Sequence, residues 1–431
     1  MPTAFTIQRT YLVLTTVTTL ATSFIWGVNT LFLLDAGLSN TEAFAANAFY
    51  AVGQVLFEVP TGVVADTRGR RFSYLLGAAT LLLSTLLYLV MWRLHAPFIG
   101  WALASALLGL GFTFFSGATE AWLVDALKAT GYQGGLETVF GRAQTASGAA
   151  MLIGSVLGGV VAQASDLGVP YILRAGMLGV TLVVAYRFMH DVGFVPRHGA
   201  DPVTEVRNVV RGSIDAGWRN PPVRALMLAS PFTYGIGFFA FYASQPYLLQ
   251  LYGDPHAYSV AGLAAAVFAG AQIIGGLAVS RVRRLFRRRT DAILIGSMAT
   301  VVVLVVIGWT TSFVVALVLL AGWALIFAVE GPLRQAYIND IIPSEQRATV
   351  LSFDSFMGSI GGAVAQPALG RVSDVYGYGP AYVVAGVVQV FAIPFVILAR
   401  RQNASSDPIE ADGLKALPPD TLTGPEGPVR R

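Results

Sequence analysis

Residues 62–71 read Gly62-Val63-Val64-Ala65-Asp66-Thr67-Arg68-Gly69-Arg70-Arg71, and they join two long apolar stretches, 42–65 and 72–92. A bilayer-crossing helix needs about 20 mostly apolar residues, so each flank is long enough to cross. The junction holds three arginines, an aspartate and a glycine between residues 66 and 71. Clustered positive charge in a short loop marks the side of a membrane on which that loop is retained. Gly69 supplies the backbone freedom that a tight turn needs.

Working outward with the same ruler, apolar stretches fall at 11–34, 42–65, 72–92, 97–124, 143–164, 170–189, 224–251, 258–280, 291–310, 312–338, 349–371 and 380–399. Twelve spans are expected. Composition agrees, since the 431 residues are 55% hydrophobic and only 12% charged, against about 25% charged in soluble domains. The first stretch is too long for a signal-peptide core and lacks a small-residue cleavage end, so it reads as a retained helix. An even number of spans puts both termini on one side. With the termini in the cytoplasm, only Arg93, Arg174 and Arg371 of the 28 lysines and arginines fall on the outer face. That asymmetry predicts a multi-pass protein of the inner (plasma) membrane with both ends cytoplasmic.

Several chemistries are excluded. There is no cysteine, hence no disulfide, thiolate zinc site or iron–sulfur cluster. The two lysines, Lys128 and Lys415, follow no glycine-rich phosphate loop, which removes a Walker-type ATPase. His95, His190, His198 and His256 have no zinc-ligand spacing, and no GxSxG elbow occurs. The chain is not expected to be an enzyme, nor to carry a cofactor or a metal.

The two halves echo one another. Ala121-Trp122-Leu123-Val124-Asp125 resembles Ala336-Tyr337-Ile338-Asn339-Asp340, and Gly141-Arg142-Ala143 resembles Gln346-Arg347-Ala348. Ser165-Asp166 with Pro170-Tyr171 matches Ser373-Asp374 with Pro380 and Tyr382. Parallel six-helix repeats joined by an inner loop suit a rocking transporter. The expected units are a first bundle, 1–189, a linker, 190–223, a second bundle, 224–401, and a disordered tail, 402–431. Val203, Val206, Val210, Ile214 and Trp218 recur at helical spacing, as in a helix lying at the membrane interface.

Residues 62–71 resemble the signature loop of the major facilitator superfamily, GxxxDxxGRR, in its expected place between spans two and three. With the span count, the resemblance covers residues 9–401. It implies an all-α integral membrane fold of two six-helix bundles related by a pseudo-two-fold axis, and secondary transport by alternating access. It further implies a cytoplasmic gate built from Gly62, Asp66, Gly69, Arg70 and Arg71, with Asp125 as a partner; otherwise the arginines only set topology. The second-half counterpart, Gly276 to Arg281, has Ser280 in place of the aspartate, and its arginines read as topology and anionic-lipid contacts. Gly154-Ser155-Val156-Leu157-Gly158-Gly159 resembles the antiporter motif GPxxGG with Ser155 replacing proline; close packing of small residues is the other reading. Span four lacks the arginine that proton-coupled drug antiporters of the superfamily carry there, so a proton site would be built differently.

Ionisable groups inside spans cost about 2.5–3.5 kcal/mol each on insertion scales. Glu58, Glu120, Glu330 and Asp354 lie at such positions and are the candidates for proton coupling. Glu330 precedes Arg334 by four residues, a spacing that permits an ion pair. Asp354 is placed to pair with Arg347 or to cap its helix. Trp26 and Asn29 in span one, with Tyr234, Phe238, Phe241, Tyr242 and Gln245 in span seven, form the candidate substrate wall. An aromatic wall with few polar points suits lipophilic solutes. The expectation is therefore a monomeric, proton-coupled multidrug antiporter effecting efflux of small lipophilic compounds, contacting membrane lipids and no nucleic acid. Proton-coupled uptake of a small metabolite is the alternative, and a non-transporting receptor or scaffold a more distant one.

Overall fold

The computed structural model describes residues 2–196, 204, 207, 211, 217–342 and 347–409. The first half comprises α1 (Ala4–Ser23), α2 (Asn29–Asp35), α3 (Asn40–Arg68), α4 (Arg70–Leu94), α5 (Phe98–Thr113), α6 (Ala118–Ala129), α7 (Leu136–Ala164) and α8 (Val169–Phe188). The second comprises α9 (Pro221–Tyr252), α10 (Tyr258–Val282), α11 (Arg289–Trp309), α12 (Phe313–Ile341), α13 (Arg347–Tyr376), α14 (Tyr378–Gln389) and α15 (Ala392–Arg401). Three spans are broken: α1–α2 around residues 24–28, α5–α6 around 114–117, and α14–α15 around 390–391. Counting each broken pair once gives twelve passages, which return the chain to the end where it began. That end is called here the terminal end, and the opposite one the far end.

Among the described residues, ten passages are long and apolar enough to cross a membrane by length and composition. The other two are the broken α1–α2 and α13, which carries Asp354, Arg371 and Asp374. Large apolar side chains such as Leu103, Val183, Leu277 and Val302 stand exposed. A water-soluble protein would aggregate through such a surface; lipid tails cover it here.

Lipid gives helices no hydrophobic reason to associate, so close backbone contact has to hold them. A Cβ at Gly53 of α3 would meet the backbone of Ala106 in α5, and one at Gly109 would meet α3 in turn. α4 packs on α5 and α8, and α1 on α7 and α8, forming one six-helix bundle. In the other, α9 packs on α13 and α15, and α11 on α12 and α14. The bundles meet along α3–α13 and α7–α10. α9 stays helical through Pro231 and Pro246, which neighbouring helices tolerate in a membrane by satisfying the loosened backbone.

Two expectations change. Residues 402–409 are ordered rather than part of a disordered tail. Asp407 is 1% exposed and accepts from the Thr290 nitrogen at 2.9 Å, filling an orphan donor at the start of α11. Arg174 is not an outer-face residue: it is buried within α8 at 2% exposure. The stripe proposed for Val203, Val206, Val210 and Ile214 lies outside the described residues.

Candidate functional site: a polar cavity at the junction of the bundles

The break between α1 and α2 puts Trp26 and Asn29 beside a cavity of about 100 Å³. Tyr242 of α9 closes it from the second bundle, while Asn47, Tyr50, Tyr88 and Arg174 line the first-bundle side. Asn29 is held from both sides. Its amide donates to Asn47 Oδ1 at 2.9 Å and its carbonyl accepts from the Tyr171 hydroxyl at 2.9 Å. Tyr171 in turn stacks on Phe32 with centroids 3.9 Å apart. These contacts fix the broken segment where a continuous helix would have buried its own backbone groups.

Gln245 reaches across the bundles. It accepts from the Thr30 nitrogen at 2.8 Å and donates to the Trp26 carbonyl at 2.9 Å, so it ties span seven to the unwound turn instead of facing open space. Phe241 packs on Trp26, with centroids 5.2 Å apart. Phe238 stands against Gly362 of α13. The expected aromatic wall is thus divided: Trp26, Asn29 and Tyr242 line the cavity, and Phe238, Phe241 and Gln245 serve packing and closure.

Tyr234 belongs to a second, narrower cavity with Ser297, Glu330 and Arg334. The pairing expected between Glu330 and Arg334 is replaced. Arg334 binds Asp354 through two nitrogens, at 3.2 and 2.6 Å, and also donates to the Leu226 carbonyl at 2.8 Å and to Ser230. The face of Tyr234 covers the guanidinium. Four residues along one helix permit a contact, but a carboxylate on a neighbouring helix offers the bidentate geometry that guanidinium prefers. Glu330 is left with Ser297 at 3.4 Å, buried at 8% exposure. Glu58, half-buried on α3, accepts from Ser116 at 2.6 Å, at the break between α5 and α6. Glu120 starts α6 and is exposed, with no hydrogen-bond partner among the described residues.

In the 62–71 loop, Gly69 has φ +107°, which ends α3 and starts α4 within one residue. Asp66 and Arg70 form an ion pair of 2.5 Å. Asp125 forms no hydrogen bond or ion pair among the described residues. Asp191, just past α8, takes the place foreseen for it, accepting from the Arg71 nitrogen at 2.9 Å and crowding Gly69. Arg71 also donates to the Tyr186 carbonyl at 2.5 Å. A Cβ on Gly62 would meet nothing within 4 Å. In the second half, Arg289 of the arginine run pairs with Asp340 at 2.6 Å.

The small residues of α7 sit at contacts. A Cβ on Gly154 would meet Ser23, one on Gly158 the Phe24 backbone, and one on Gly159 the Gly262 backbone of α10. The hydrogen bonds that cross between bundles gather at the far end. Asp374 accepts from the Asn40 nitrogen at 2.8 Å and the Thr41 nitrogen at 3.0 Å, and Tyr378 donates to Asn40 Oδ1 at 2.5 Å.

A family model for the Major Facilitator Superfamily matches residues 11–365 and 232–423. The chain belongs to the major facilitator superfamily. No curated protein matches the sequence. Among solved structures this superfamily member is similar to a point mutant of the nucleoside transporter NupG, at TM-score 0.77 and 10% identity, over 91% of this chain and 99% of that one. It is also similar to a bacterial homolog of the human lysosomal transporter Spinster in an inward-facing and occupied conformation, at TM-score 0.69 and 15% identity, over 95% and 100%. A third is a D-xylose–proton symporter, at TM-score 0.64 and 16% identity, over 91% and 96%. At these identities the likeness concerns the fold.

Asn47, Tyr50, Tyr88, Arg174 and Asp191 were missed by sequence reasoning. Asn47 did carry a signal, as a lone amide inside an otherwise apolar span. Arg174 stands so near a span end that its charge read as a topology mark.

Proposed function

We propose that this superfamily member is a proton-coupled secondary transporter of the inner membrane, with its terminal end in the cytoplasm, that moves a small solute by alternating access. The observation that carries this is the polar cavity at the bundle junction beneath a far end closed by Asp374, Asn40, Thr41 and Gln245. A site reachable from one side only is the working requirement of alternating access. Glu58 and Glu330 are the coupling candidates, because they are half-buried and buried and neither is neutralised by an ion pair among the described residues. Asp354 is committed to Arg334 and serves structure. Asp66 and Arg70 act in the gate through the loop that joins spans two and three.

The amide and hydroxyl lining favours uptake of a polar metabolite by proton symport over export of purely lipophilic compounds. Structural neighbours titled as a nucleoside transporter and a D-xylose–proton symporter support that choice. The test is solute accumulation in proteoliposomes under an imposed pH gradient, with nucleosides, sugars, carboxylates and lipophilic dyes as solutes. Accumulation of a polar solute from the acidic side, lost in Glu58→Gln or Glu330→Gln while exchange persists, is expected. Movement of dyes alone, or undiminished gradient-driven accumulation by both variants, would refute the reading.

A further inference from the structure

Two arginines are buried at membrane depth, and their surroundings differ. Arg334 is neutralised by Asp354 and bonded by Ser230 and Leu226. Among the described residues Arg174 has one side-chain hydrogen bond, from Nε to the Thr85 hydroxyl at 3.1 Å. Its Nη2 is buried without a partner, and no ion pair to it exists among the described residues. A guanidinium has five N–H donors and no deprotonated form to retreat to, so leaving it unpaired at this depth is costly.

The same cavity holds a second orphan, the amide nitrogen of Asn47. The hydroxyls of Tyr50 and Tyr242 line it too and have no hydrogen-bond partner among the described residues. Donors thus converge on one small space that contains no carboxylate. Around them stand apolar and aromatic surfaces from Trp26 and Phe112. One unbalanced positive charge, surplus donors and an aromatic collar define by chemistry what this cavity would bind.

We propose that Arg174 and Asn47, assisted by Tyr50 and Tyr242, form the binding subsite for the carboxylate of a small aromatic or aliphatic monocarboxylate, which is the transported solute. This rests on the transporter reading above and names the solute class. One guanidinium balances one negative charge, which favours a monocarboxylate over a phosphate dianion. Binding converts an uncompensated buried charge into a hydrogen-bonded pair, so the site's own electrostatic cost is relieved only when it is occupied. Tyr242 alone among the four donors comes from the second bundle, so an occupied carboxylate also bridges the two bodies that must rock.

The test uses the full chain in detergent micelles at neutral pH, with benzoate as probe and benzamide as its uncharged counterpart. Radiolabelled benzoate is expected to bind and benzamide not to compete. Arg174→Gln should lose at least about 30-fold in affinity, as truncation of a buried charge partner does, whereas Arg174→Lys should retain part of it. Thermal unfolding separates ligand binding from structure. Without ligand, Arg174→Gln should melt at or above the wild-type temperature because an unpaired charge has been removed; with benzoate, only the wild type should gain. Equal binding of benzamide, tighter binding of phenyl phosphate, unchanged benzoate affinity in Arg174→Gln, or a lower melting temperature of that variant without ligand would each overturn the proposal. Exchange of neutral solutes in proteoliposomes with no benzoate binding would overturn the subsite and leave the transporter reading standing. Benzoate binding that needs Arg174, without transport of any solute, would remove the transporter reading and keep the subsite.

Discussion

The carboxylate of Asp407 accepts from both the backbone nitrogen and the hydroxyl of Thr290, at 2.9 and 2.8 Å. Thr290 is the second residue of α11, and Arg71 is the second residue of α4. Asp191 serves Arg71 as Asp407 serves Thr290, with a backbone contact of 2.9 Å. In each bundle, an aspartate just beyond the sixth span caps the third. The pseudo-two-fold relation is therefore visible in a pair of caps that the aligned sequence echoes do not include. Each cap also closes its bundle, tying the last helix to the middle of the fold.

These caps predict a stability cost without loss of the cavity. Asp191→Ala should lose about 1 kcal/mol, the usual worth of a helix N-cap. Asp407→Ala, which removes a buried acceptor serving two donors, should lose about 1–3 kcal/mol. Melting temperatures in detergent check both, and an unchanged value for Asp407→Ala would contradict the capping role.

Arg334 and Asp354 should behave as one unit. Removing either partner alone leaves a buried charge unpaired and should destabilise by about 3–5 kcal/mol. The double variant Arg334→Met with Asp354→Leu should recover most of that loss, because the remaining site is uncharged. Strict additivity of the two single effects would show that the pair is not coupled.

The far end can be locked chemically, because the natural chain contains no cysteine. A pair introduced as Asn40→Cys and Asp374→Cys joins α3 to α13 where they now hydrogen-bond. Oxidation should abolish transport in proteoliposomes and reduction should restore it. Full transport by the cross-linked protein would mean that this end need not open.

Gly262 is expected to control the same closure sterically. Its Cβ would fall 2.7 Å from the Ser155 carbonyl oxygen and 2.8 Å from Gly159 Cα. Gly262→Val should wedge α10 from α7 at a cost of about 1–3 kcal/mol to the closed state. A cysteine placed at Gln163, which now contacts Ser259 across the bundles, should then react faster with an impermeant maleimide. No change in labelling rate would exclude the wedge.

The sequence by itself determined the membrane class, the twelve passages, the repeat and the family loop, because these follow from hydropathy, charge asymmetry and local spacing. It also picked out Trp26, Asn29 and Tyr242, whose polar or amphipathic character stands out within apolar helices. Only the tertiary structure decided pairing. Arg334 chose Asp354 on a neighbouring helix over Glu330 on its own, since bidentate geometry outweighs sequence proximity. Asp191 displaced Asp125 beside the 62–71 loop, and Arg174 proved to be a cation in a cavity with no ion pair among the described residues instead of a mark of topology. Position along the chain fixes how deep a residue lies in the membrane, but the partner that neutralises it depends on which helices touch.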